Sequence, residues 1–294
     1  MTQSRFSTPI SRRTLFRATA VALTAGVATQ AAPHALAAPG PVLGTVIDYA
    51  AGVPTAQAIK NAGHLGAVRY VSERRPGTES WMLGKPVTAR ETRAMADLGL
   101  QTASVYQFGK AGNADWLRGA AGAAVHAPQA IALHKAAGGP TGCPIYVAID
   151  DNPSRDQYNR LIRPYLQAFK VALSAAGLQL GVYGNYDTID WAIADGLGEF
   201  FWLHNWGSNG RIHQRTTLHQ IRIDKDTVGG VGVDINNVYA RDWGQWTPGQ
   251  SGGGLPGIPS SPGESLTING SSMPSAEQIQ EGARLLNQLS SQIQ

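Results

Sequence analysis

"PIYVAIDDNP", residues 144–153, is an unbroken apolar and β-branched run that ends in two aspartates, an asparagine and a proline. A run without polar alternation fits a strand buried on both faces, as in parallel sheets covered by helices. In barrels and open sheets of parallel strands, the C-terminal strand ends carry the chemistry. The same residues also fit a helix start, with Asp151 or Asn152 as the cap and Pro153 in the first turn. A cap needs only one carboxylate, which leaves Asp150 for other work.

Outward from this stretch, short apolar runs alternate with helical stretches from 43 to about 243. The strand candidates are "GTVIDYA" (44–50), "GAVRYVS" (66–72), "QTASVYQF" (101–108) and "PIYVAIDD" (144–151). They continue with "QLGVYGNY" (179–186), "FFWLHNW" (200–206), "TLHQIRI" (217–223) and "VGVDINNV" (231–238). Helices are predicted over 88–98, 114–137 and 154–176. The last carries Tyr158, Leu161, Tyr165, Phe169 and Leu173 at helical spacing. Thr88 and Glu91 form a capping-box pattern, which assigns Glu91 a structural role. The expected fold is α/β, a TIM-like (β/α) barrel over 43–246, irregular in its second half where helices are short.

The chain ends read differently. Residues 1–37 place an arginine pair (Arg12, Arg13) before an Ala-rich apolar stretch and an Ala-x-Ala site, the pattern of a twin-arginine export signal cut after Ala37. Its apolar run is too short for stable membrane insertion. The segment holds four of the 24 basic residues and no acid, which leaves 20 basic against 20 acidic residues in the remainder. The basic balance therefore belongs to the signal and gives no reason to expect nucleic acid. Residues 247–274 are Gly, Pro and Ser-rich and read as a linker; 275–294 carry an amphipathic helix pattern opening on Ser275 and Gln278. A single cysteine, Cys143, precludes an intrachain disulfide and is expected as a small buried hydrophobe. A monomer is the default.

Four predicted strand ends carry an acid: Asp48, Glu73, Asp150 and Asp234. Carboxyls that share one cavity are the minimum equipment for cleaving a glycosidic bond, one protonated to donate and one anionic. Burial after apolar runs would perturb Asp48 and Asp150. Tyr183 and Trp202 are the preferred stacking candidates for apolar sugar faces, with Asn185, His204 and Gln220 as polar contacts.

The order of "VIDYA", "VRYVS" with "KPVTARE", "IYVAIDDN", "GVYGNY" and "LHQ…GVGVDINNV" resembles the glycoside-hydrolase-like domain family of twin-arginine-exported mycobacterial and actinobacterial proteins. That family is related to the family 25 lysozymes. The resemblance covers roughly 43–243. It implies a TIM-barrel-like fold, an acidic cleft, no cofactor or metal, and a cell-envelope glycan such as peptidoglycan as partner. By matching motifs, Asp48, Asp150 and Asp234 take the lysozymes' strand-end carboxylate positions. One departure stands out: where those enzymes carry Asp-x-Glu, with the Glu as proton donor, this chain has Asp150, Asp151 and Asn152. A non-catalytic glycan-binding protein on the same barrel is the alternative this opens.

Other chemistries fit less well. "AIDDNP" resembles the Asp-Asp stretch of metal-dependent polysaccharide deacetylases, but their His-x-x-x-His partner motif is missing. Nucleophilic hydrolysis is disfavoured because Cys143 lies before its strand rather than at the exposed strand end. "GGVGVD" (229–234) leads into a strand rather than from a strand into a helix, which argues against a phosphate cradle.

Overall fold

The structure, a computed structural model, describes residues 39–252. The predicted signal, the C-terminal helix and the linker beyond 252 lie outside the described residues. Eight strands close a barrel: β1 (Gly44–Asp48), β2 (Gly66–Tyr70), β3 (Gln101–Tyr106), β4 (Pro144–Ala148), β5 (Gln179–Gly184), β6 (Phe200–His204), β7 (Leu218–Val228) and β8 (Val231–Val238). β1 to β7 pair in sequence and in parallel. β8 runs antiparallel between β7 and β1 and closes the ring. The fold is thus TIM-like, as expected, with one reversed strand.

Five predicted strands end two residues early and β4 three, because the chain turns as soon as it leaves the barrel; β8 ends at Val238 as predicted, and β7 extends to Val228. Its outer half, "DKDTV", projects from the barrel as a hairpin arm and was too polar to read as strand. Gly229 and Gly230, both at positive φ (57° and 81°), turn this hairpin into β8. The glycines of "GGVGVD" serve a turn.

The helices are α1 (Ala56–Asn61), α2 (Ala89–Ala96), α3 (Gly119–Ala136), α4 (Arg155–Gln157), α5 (Arg163–Ala175) and α6 (Tyr186–Ala194). A π-helical turn, Tyr158–Ile162, joins α4 to α5, so 155–175 forms the predicted third helix. Its cap is Ser154, which reciprocates with Gln157, and not Asp151 or Asn152. No helix separates β6, β7 and β8. That is the irregular second half. α1 and α6 were not predicted; α6 places Trp191 against Tyr158 and Arg155, on the outside of the barrel.

Side-chain alternation sorts two cores. Val46, Val68, Tyr146, Ala148, Tyr183, Trp202, Leu218 and Val238 fill the barrel interior, with Trp243 beneath them. Ile145, Val147, Val182 and Phe201, one residue out of phase, pack with Tyr158, Tyr165, Phe169 and Leu173 in the outer layer. Each fully buried side chain of this kind contributes about 1.5–3 kcal/mol. Cys143 is buried as predicted, and burial pushes its thiol up to about 12. After β8 the chain forms a short hairpin, Trp246–Thr247 with Gln250–Ser251, so the first residues of the expected linker belong to the folded body. Trp246 docks it by donating from Nε1 to Ser104 Oγ at 3.1 Å.

Candidate functional site

The interior alternation that buries Val46, Ala148, Leu218 and Val238 directs Asp48, Asp150, Gln220 and Asp234 into one open cavity of about 320 Å³ at the end of the barrel. Asp234 reaches it because β8 is reversed: it is the Cα register partner of Asp48.

Asp48 is 2% exposed. Its Oδ2 accepts from Asn236 Nδ2 at 2.8 Å and Gln220 Nε2 at 3.1 Å, and its Oδ1 from Tyr70 OH at 3.3 Å. Burial nevertheless outweighs these bonds and raises its pKa. Asp234 accepts from Gln220 Nε2 at 3.0 Å and from the Asp224 backbone N–H at 2.8 Å. Burial and then the Asp48 charge push it up to about 7. Asp224 sits at an irregularity of β7 with φ 55°, a left-handed conformation that Asp tolerates, and this aims its N–H at Asp234.

Asp150 lies two residues beyond the end of β4. It pairs with Lys110 Nζ at 2.9 Å and accepts from Gln107 Nε2 at 3.0 Å. Tyr183 OH donates to Gln220 Oε1 at 2.7 Å, which fixes the amide so that both its N–H groups face carboxylates. The oxygens of Asp48 and Asp234 that share this amide lie within about 6 Å of each other, short of the roughly 6.5–9.5 Å of inverting carboxyl pairs.

Of the residues singled out in sequence, Asp48, Asp150, Asp234, Tyr183, Trp202 and Gln220 line this cavity. Glu73, Asn185 and His204 do not. Glu73 is exposed: β2 has ended, and Ser72 is tied to the Gln107 carbonyl, which turns the next side chain to solvent. Asn185 is the N-cap of α6; its Oδ1 accepts from the Thr188 N–H at 2.8 Å. His204 is buried, stacks on Trp206 at 4.4 Å, and bonds the Trp206 carbonyl through Nδ1. Burial lowers it to about 4, a neutral ring.

Tyr183 and Trp202 reach the cavity only as its floor. They are 6% and 2% exposed, pack edge-to-face at 4.5 Å, and offer no free ring face for stacking. Trp202 Nε1 donates to Asn236 Oδ1 at 2.7 Å, so its polar atom orients the amide that holds Asp48. The aromatic rings exposed at the mouth are Trp81 (50%) and Trp206 (37%). Trp81 was missed because it lies in an irregular stretch, 71–88, where no periodicity marks it.

Asn152 is not in the cavity lining. Its Oδ1 accepts from Asn185 Nδ2 at 2.9 Å and abuts Gly207, where an added Cβ would fall 1.7 Å away. β4 ends at Ala148, so strand alternation does not extend to residues 150 and 152. Asp151 faces Trp116, accepting from its Nε1 at 3.0 Å. Among the described residues, no group of three or more His, Cys, Asp or Glu side chains is placed to hold a metal ion, and no helix is long and apolar enough to cross a membrane.

A closed barrel with interior carboxylates at its open end is a glycoside-hydrolase-like architecture. The model of the Rv2525c-like, glycoside hydrolase-like domain family matches residues 57–239, more than half of the chain, and the protein belongs to that family. It is 50% identical over 242 residues to the Mycobacterium tuberculosis protein named "Putative peptidoglycan hydrolase Rv2525c", covering 81% of this chain and 99% of that one. Two crystal structures of the M. tuberculosis Tat-secreted protein Rv2525c superpose on it. The complex with L-tartrate has a TM-score of 0.67 at 54% identity, covering 70% of this chain and 100% of that one. The complex with HEPES has a TM-score of 0.66 at 51% identity, covering 69% and 99%.

Proposed function

We propose that this protein is exported by the twin-arginine route and cleaves a cell-envelope glycan, peptidoglycan or a related polysaccharide, through Asp48, Asp150 and Asp234. The observation that carries the reading is the Gln220 amide bridging the buried Asp48 and the half-buried Asp234, beside a third carboxylate that is ion-paired. Such an arrangement separates protonation states. Asp234, held up to about 7 by burial and by Asp48, is protonated in a substantial share of molecules at neutral pH, and that form donates its proton to the departing glycosidic oxygen. Asp150, ion-paired with Lys110, supplies the anion that faces the positive charge developing on the sugar. Asp48 does not need to touch substrate: buried one bond from Gln220, it sets the proton affinity of Asp234. Trp81 and Trp206 offer faces at the mouth for sugar rings.

The relatives' names support the substrate class and the export route. A non-catalytic glycan-binding protein is the second reading, favoured by one observation: position 152 holds an amide locked against Asn185, with no carboxylic acid there. Product release from purified peptidoglycan and chitooligosaccharides separates the two. Cleavage by the parent that is lost in Asp150→Asn and Asp234→Asn upholds the hydrolase. Saturable binding without products upholds the binding protein.

A further inference from the structure

The cavity wall carries cations as well as aspartates: the β2–α2 loop contributes Arg75 and Lys85. Lys85 is 3% exposed. Its Nζ donates to the Gln107 carbonyl at 2.8 Å and lies 4.0 Å from the centroid of the Tyr70 ring. Among the described residues, no carboxylate comes within 4.0 Å of Lys85 or of Arg75. The Arg75 guanidinium meets only the Trp81 ring, 6.0 Å from its centroid. Lys110, the third cation of the wall, is already paired with Asp150.

A buried ammonium without a counter-ion is unfavourable, and an anion arriving beside it relieves that cost. We propose that Lys85 and Arg75 form a subsite for a carboxylate carried by the glycan, so that the cavity selects acidic sugars over neutral ones. This rests on the glycan reading above. Ionised aspartate in the same cavity would repel a phosphate dianion more strongly than a monovalent carboxylate, which favours the latter as ligand. Burial, reinforced by Arg75 and Arg69 and opposed by Asp115 and Asp150, lowers Lys85 to about 7; a bound carboxylate would restore its charge. Two network contacts fix the wall: Arg69 donates to the Gly84 carbonyl, and the Gly84 N–H donates to the Ala50 carbonyl at 2.8 Å.

The test is a calorimetric titration of the full chain with N-acetylglucosaminyl-N-acetylmuramic acid and with the same disaccharide whose lactyl carboxylate is a carboxamide. The parent should bind the acid roughly tenfold or more tightly than the amide. Lys85→Met and the partly exposed Arg75→Gln should each shrink that ratio. The ratio is the readout, so a packing defect at Lys85 that weakens both ligands alike does not imitate the result. A disaccharide carrying glucuronic acid distinguishes a ring carboxylate from a lactyl one; a preference for either over its own amide upholds the subsite. Equal affinity for acid and amide, or a preference that survives both substitutions, overturns the subsite and leaves the glycan reading standing. No binding of any of these sugars overturns both.

Discussion

Asp48 and Asp234 are direct register partners across the antiparallel β1–β8 pair, and one side-chain amide, Gln220 Nε2, donates to an oxygen of each, at 3.1 and 3.0 Å. Two carboxylates held this close cannot both ionise freely. The pair therefore acts as a proton store whose level is set by burial and by the amide between them.

Gln220→Leu should push Asp48 further upward, because the Gln220 bond is one of the contacts holding its pKa down. Carbon-13 carboxyl titration by NMR reads this directly. Loss of the charge-assisted donors should also cost about 1.5–3 kcal/mol of stability at a pH where the pair is ionised. An unmoved Asp48 titration would show that the amide does not control the pair.

The raised folded pKa of Asp234 carries a sign for stability. An aspartate at 3.8 in the unfolded chain and about 7 in the fold contributes stability that is present below 3.8 and lost as pH rises through about 7. Thermal melts of the parent should fall across that window more steeply than those of Asp234→Asn. Glycan cleavage should lose its rate over the same alkaline limb, and Asp234→Asn should reduce it by about 10²–10⁴ at neutral pH.

Glu91 is a structural carboxylate behind the site, bonded to Tyr49 of the cavity wall. Thr88 accepts from its backbone N–H at 3.3 Å, but its side chain bonds the fully buried Arg69 and accepts from Tyr49 OH at 2.8 Å. Arg69 in turn donates to the Tyr49 and Gly84 carbonyls. Glu91→Ala leaves that guanidinium buried without its partner and should cost about 3–5 kcal/mol in denaturant unfolding. A loss no larger than that of an exposed residue would contradict the role.

The two tryptophan positions at the cavity separate binding from folding. Trp81→Ala should weaken glycan binding and leave stability within about 0.5 kcal/mol, since half of the ring is in solvent. Trp202→Ala should cost about 3–5 kcal/mol and disturb Asp48 through Asn236. Paired melts and binding isotherms on both variants check the contrast.

Asn152→Glu should not raise hydrolysis. The side chain at 152 faces Asn185 and Gly207 instead of lining the cavity, so an acid installed there lacks access to the glycosidic bond. Assay of the variant on purified peptidoglycan is decisive: a clear gain in product would place 152 in the cavity after all.

The sequence by itself determined the barrel. Parallel-sheet strands buried on both faces read as continuous apolar runs, and "PIYVAIDD" and "GTVIDYA" carry that signal locally. The apolar runs also marked Asp48 and Asp150 as carboxylates at strand ends, because both the run and the acid that ends it are local to one strand. Only the tertiary structure decided the rest. The reversal of β8, which brings Asp234 opposite Asp48, depends on a pairing between strands 186 residues apart and leaves no mark within either. Whether Asn185 caps a helix, His204 lies under Trp206, or Trp81 stands at the mouth depends on where each strand stops and which loop folds over it. The buried, unpaired charge of Lys85 is likewise invisible in sequence, where a lysine in a loop reads as solvated.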